Sequence, residues 1–248
     1  MSKPIPSGST AVMSRRTDPV DSLDFLPTPP WGTRALMQHV LRPWECKGKS
    51  AWEPAAGEGH MAEVLQEYFH PVHASDVHDY GRAPRGYVVG SFIGVGFDVA
   101  SWPADLAGPH WIVTNPPFSK ALEFAERALG EAHNGVALLL RTVWVESEER
   151  WAALFRDRPP SVIAQFSERL PMHEGRWDPN GSTATSYAWF VWRLPLNEGQ
   201  GTRLMWIPPG QRQALEKADD RRRFAYRAPE GEAVPLFETQ PGEKVDAA

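Results

Sequence analysis

Seven short apolar runs, most of them separated by helical patterns, predict an α/β protein built on one largely parallel sheet with helices on both faces. Three observations carry that reading. The runs are continuously apolar rather than alternating, as strands covered on both faces are. The stretches between them repeat apolar residues at helical spacing. At 248 residues, and about 150 per domain, the chain suits one large domain or one domain with an appendage.

Taken in order, residues 32–41 read as a helix and residues 50–54 as the first strand. Residues 60–69 form the next helical pattern, and strands follow at 71–77, 86–89 and 110–114. A helix over 120–132, a strand over 136–141, a helix over 147–155 and a strand over 161–166 continue the alternation. Residues 187–194, almost wholly aromatic and β-branched, make the strongest strand. Residues 1–22 are polar and carry paired Arg15 and Arg16, as a mobile or loosely docked arm would. The boundaries expected are an arm over 1–22, a catalytic domain over 23–209, and an extension over 210–248, basic and then acidic.

Composition narrows the function. With 42% hydrophobic and 23% charged residues, this is the makeup of an ordinary globular protein. No eighteen apolar residues run together, so no membrane partner is expected. Residues 1–10 have no apolar core, so a secretory signal is not expected either, and the setting expected is cytoplasmic. The single cysteine, Cys46, cannot form an internal disulfide. The eight histidines show no ligand spacing, so no metal is expected. A net charge of −5 speaks against nonspecific coating of nucleic acid. The charge is uneven, however. Residues 53–131 carry eleven acids against four bases, and residues 203–227 seven bases against three acids. That basic stretch reads either as a polyanion-binding flank or as a solvated helix end.

Two turns and one corner carry chemistry. Glu53 ends a strand and is followed by a turn with Ala55, Gly57 and Gly59, where glycines let a ligand approach the backbone. A carboxylate there repels pyrophosphate and accepts from an ammonium group, which turns the ligand away from NAD. Asp76 ends the next strand, placed for two ribose hydroxyls or for a helix cap. Asp98, flanked by apolar residues, suits the amino group of an adenine ring.

The corner is Asn115-Pro116-Pro117-Phe118, directly after a buried strand. Two prolines fix φ twice and remove two N–H donors. The Asn115 side-chain oxygen and the Pro116 carbonyl then form two acceptors for the hydrogens of a planar –NH2 group. Phe118 offers a face for a heteroaromatic ring. Trp177 and Tyr187 are candidates for a second stacking face, and Arg176 for a phosphate contact. Methylation at cytosine C5 needs a cysteine nucleophile. Cys46 lies far upstream of Asn115, which excludes that chemistry.

With these motifs in place, the chain resembles the class I S-adenosylmethionine-dependent methyltransferases. More closely, it is similar to the DNA adenine-N6 methyltransferases of phages and prophages. The resemblance runs from about Phe25 to Pro209 and rests on FLPTPPW (25–31), EPAAGEG (53–59), TNPPF (114–118) and residues 177–192. It implies a Rossmann-like, seven-stranded, mostly parallel sheet whose last strand, within residues 187–192, is antiparallel. It implies S-adenosyl-L-methionine as cofactor, held by Thr28, Pro29, Glu53, Ala55, Gly57, Gly59, Asp76, Asp98 and Asn115. Asn115, Pro116, Pro117 and Phe118 become the catalytic motif. The partner implied is DNA whose adenine is flipped out or single-stranded, in a bacterial or phage-infected cell. The alternatives are the same fold acting on RNA (adenine N6 or guanine N2) or on a protein glutamine amide, or a DNA-binding or phage structural protein with a dead site. The chain departs from its larger relatives in having no long target-recognition region after the last strand. Oligomeric state is left open.

Overall fold

The computed structural model describes residues 24–81, 87–94, 102–103, 107–196, 199 and 201–225. In chain order the helices are α1 (Pro30–His39), α2 (Pro43–Cys46), α3 (His60–Leu65), α4 (Ala121–Glu131), α5 (Glu148–Arg150), α6 (Gln211–Leu215) and α7 (Asp220–Phe224). The strands are β1 (Ala51–Glu53), β2 (Val72–Asp76), β3 (Val88–Val89), β4 (Trp111–Thr114), β5 (Gly135–Arg141), β6 (Val162–Phe166), β7 (Tyr187–Arg193) and β8 (Arg203–Ile207).

The eight strands form one sheet in the order β3-β2-β1-β4-β5-β7-β6-β8. β7 alone runs against its neighbours, pairing antiparallel with β5 and β6. The architecture is therefore the expected Rossmann-like α/β sheet with Tyr187–Arg193 antiparallel, and two details differ. An eighth strand, β8, lies parallel to β6 at the edge, so the antiparallel strand is not the last. β8 escaped the sequence reading because Arg203, Leu204 and Trp206 are exposed there, so it lacks a buried strand's apolar continuity. The helix expected over 147–155 is one α-turn, capped by the Ser147 hydroxyl accepting from the Arg150 N–H, that passes into a π-turn over Trp151–Phe155. α3 ends at Leu65 rather than at 69.

Strand periodicity divides the core between the two faces. Tyr187, Trp189 and Val191 of β7 enter the cluster that α1 covers, and Ala188, Phe190 and Trp192 enter the cluster that α4 covers. Two indole N–H groups of β7 find backbone acceptors: Trp189 donates to the Gly32 carbonyl at 3.1 Å and Trp192 to the Arg158 carbonyl at 3.0 Å.

The described part of the C-terminal stretch packs onto this body. Arg34 of α1, only 2% exposed, donates to both oxygens of the fully buried Asp220 at 2.5 and 2.9 Å. It also donates to Glu67 at 2.8 Å and to the Leu215 carbonyl at 2.9 Å. The basic residues there face acids of the same chain. Lys217 pairs with Glu67, Arg221 with Glu216, Arg222 with Asp219, and Arg223 with Glu63. Arg227, Arg15 and Arg16 lie outside the described residues. No helix among the described residues is long and apolar enough to cross a membrane.

Candidate active site

The turn after β1 is shaped by two glycines in the left-handed region, Gly57 at φ +54° and Gly59 at +85°. A Cβ on Gly57 would also lie 2.3 Å from the Phe25 ring. The Gly57 N–H donates to Asp76 at 2.8 Å, which ties the turn to the tip of β2. The other Asp76 oxygen accepts from the His78 N–H at 3.1 Å. Burial pushes the Asp76 carboxyl above its ordinary value, while these backbone donors pull it back.

Glu53 is 2% exposed. It accepts from the Ala62 N–H in the first turn of α3, yet its Oε2 has no hydrogen-bond partner among the described residues. Burial first, and the neighbouring Asp76 second, drive its carboxyl well above the ordinary range. A buried carboxylate without a cation favours its protonated form, and a cationic ligand reverses that preference.

Asn115 leaves the end of β4. Its Nδ2 donates to the Leu26 carbonyl at 2.8 Å and contacts the Met172 sulfur at 3.7 Å. A carbonyl only accepts, so the amide must turn its nitrogen there. Its oxygen is left over: Oδ1 is buried and unpartnered among the described residues. Three residues on, the Phe118 N–H donates to Asp24 at 2.6 Å. Residues 24–29 thus form a strap. Asp24 holds the Phe118 turn, Phe25 covers Gly57 and accepts from the Gly175 N–H, and Leu26 holds Asn115.

Under the strap lies a cavity of about 260 Å³, far larger than the ~30 Å³ share of one water. Thr28, Glu53, Ala55, Asp76, Asn115 and Pro117 line it, so six sequence-predicted residues meet there. Phe92, Ile93 and Phe124 form an apolar end, and Lys120 and His60 complete the wall. Pro29 caps α1 and Pro116 is buried beside the cavity, while Gly57 and Gly59 shape its turn. Phe118 stands outside it, flanked by Tyr187 at 6.0 Å between centroids and 31° between planes, and by the Arg141 guanidinium at 4.6 Å. Tyr187, 3% exposed, backs Phe118 and shows solvent little of its own face. Trp177 is 2% exposed and Arg176 lies in a turn bonded to His173; neither lines the cavity. Asp98 lies outside the described residues. The sequence reading missed Asp24 and Arg141. The signal for Arg141 was available: it is the polar residue ending the strand next to Asn115's own.

No protein-family model matches this chain, and no curated protein does. Solved structures do. A candidate class I S-adenosylmethionine-dependent methyltransferase from Listeria monocytogenes matches at 10% identity and TM-score 0.45, over 78% of this chain and 68% of that one. A candidate RNA methyltransferase from Pyrococcus horikoshii matches at 13% identity and TM-score 0.46, over 71% and 90%. A candidate modification subunit of a type I restriction enzyme from Vibrio vulnificus matches at 13% identity and TM-score 0.47, over 82% and 52%. These are likenesses of fold, and the chemistry of this chain does not follow from them.

Proposed function

We propose that this protein transfers a methyl group from S-adenosylmethionine to the N6 amino group of adenine in DNA. The observation that carries the reading is the unpartnered, buried Oδ1 of Asn115 at the wall of the cavity. A buried acceptor without a donor is costly, and a ligand –NH2 group supplies the donor. The Pro116 carbonyl next to it supplies a second acceptor. Neither Pro116 nor Pro117 has an N–H to compete.

The donor set fits the cofactor. The orphaned Glu53 oxygen suits its ammonium group. The Asp76 carboxylate accepts from the Gly57, His78 and Val77 N–H groups and, with about four acceptor sites in all, keeps room for a ribose hydroxyl. Phe92, Ile93 and Phe124 suit its adenine ring. S-adenosylmethionine supplies, when bound, a methyl group on a sulfonium. The chain's own contribution is positioning. Asn115 and Pro116 accept the amine's two hydrogens, which draws the nitrogen towards tetrahedral geometry and leaves its lone pair free. The strap holds Asn115 in place through Leu26. Phe118 offers the ring on which a flipped base stacks.

The resemblance over residues 177–192 supports DNA adenine as the acceptor. RNA or a glutamine amide is the alternative. In favour of the glutamine amide, Lys217, Arg221, Arg222 and Arg223 pair with this chain's own acids rather than standing free for a polyanion, DNA or RNA. Labelled methyl transfer to DNA, RNA and protein side by side separates these readings. Label in adenine of DNA supports the proposal, and label only in RNA or protein overturns it.

A further inference from the structure

Phe118 holds a contact that the proposed transfer does not use. The register of β4 and β5 sets Thr114 opposite Leu138, so Arg141 and Pro117 each stand three residues past that pair. Arg141 also faces Tyr187 across the antiparallel ladder and hydrogen-bonds its side chain. Its guanidinium carbon sits 4.6 Å from the Phe118 centroid. The Phe118 turn is held by Asp24 and its ring is backed by Tyr187. Meanwhile the Arg141 Nε is buried with no hydrogen-bond partner among the described residues.

A guanidinium is flat and stacks on an aromatic face much as a nucleobase does. On Phe118 it therefore stands where the proposed acceptor would stack. An adenine whose amino group donates to Asn115 and Pro116 also presents ring nitrogens, which only accept. A donor must meet one of them, and the spare Nε–H of Arg141 is the donor beside that ring. We propose that Arg141 is the acceptor-positioning residue. It covers Phe118 in the free protein, slides along the ring as adenine enters, and donates its unpaired Nε–H to a ring nitrogen of that base. This inference rests on the adenine reading above.

The test uses the full chain with Arg141→Met and Arg141→Lys. Acceptors are DNA containing adenine, 7-deazaadenine or 1-deazaadenine, and S-adenosylhomocysteine binding by calorimetry serves as the control for the fold. The wild-type protein should lose roughly 10-fold in kcat/KM on one of the two deaza acceptors, the worth of one hydrogen bond from a charged donor. Arg141→Met should carry a similar loss in KM on normal DNA, keep cofactor affinity and kcat, and discriminate neither deaza acceptor. Arg141→Lys lacks the flat donor and should not restore the discrimination; it carries the test if the Met variant does not fold. Variants that match the wild type, or that lose the same factor on deaza DNA, overturn the proposal while the adenine reading stands. A wild-type protein that binds the cofactor product yet methylates no DNA sinks that reading, and this inference with it.

Discussion

Phe25 lays its ring over Gly57 so closely that a single added carbon on Gly57 would lie 2.3 Å from it. The strap and the turn after β1 are therefore packed backbone to ring, and the φ of +54° at Gly57 is one that a residue with a side chain adopts only at a cost. Gly57→Ala should push Phe25 off the turn and strain the backbone that carries the N–H to Asp76. Affinity for S-adenosylhomocysteine should fall roughly 10-fold or more, the equivalent of about 1–2 kcal/mol of left-handed strain plus the lost contact. Titration calorimetry measures it, and an unaltered Kd would show that the turn does not hold the cofactor.

The Arg34–Asp220 pair anchors the C-terminal stretch, with both side chains almost wholly buried. Asp220→Ala leaves a buried guanidinium with Glu67 as its remaining acidic partner. The expected loss is about 3–5 kcal/mol, read as a lower urea midpoint. A loss below about 1 kcal/mol, typical of an exposed ion pair, would mean that α7 does not stay docked in solution.

Glu53 gives a pH dependence with a definite sign. Burial holds its folded-state carboxyl well above the ordinary value. Below that ordinary value, about 4.3, folded and unfolded chains are both protonated and the stability is fully present. As pH rises, the unfolded chain releases its proton first, so stability falls until the raised folded value is passed. Asp76 adds a slope of the same sign. Glu53→Gln should flatten the decline, by up to about 1.4 kcal/mol per pH unit, while weakening the cofactor. Urea unfolding between pH 5 and 8 tests this; a wild-type profile that rises with pH, or a Gln variant with the same slope, rejects the assignment.

Asp76 should be felt in binding rather than in folding alone. Asp76→Ala is expected to raise the cofactor Kd roughly 10-fold or more, since a charged acceptor is worth about 1.5–3 kcal/mol. Calorimetry that finds no change removes Asp76 from the ribose site.

What was legible in the sequence follows from distance along the chain. Seven strands could be read as short apolar runs, five of them (β1, β2, β4, β5 and β7) because they are buried almost throughout, and the Asn115 corner because its diproline acts on its own neighbours. β8 was hidden by its exposed edge. Asp220 could not be linked to Arg34, nor Asp24 to the Phe118 N–H, because the fold alone joins them. Cavity residues sitting on strand tips were readable. Arg141 could be seen as the polar end of its strand, but its contact with Phe118 comes from register against both β4 and β7, which the sequence does not show.

The most direct test concerns the spare oxygen of Asn115. Asn115→Ala, assayed by labelled transfer to DNA beside S-adenosylhomocysteine calorimetry, should abolish methylation and leave cofactor affinity nearly as in the wild type. Retained transfer, or a parallel collapse of binding and turnover, would contradict the claim that this atom addresses the acceptor amine.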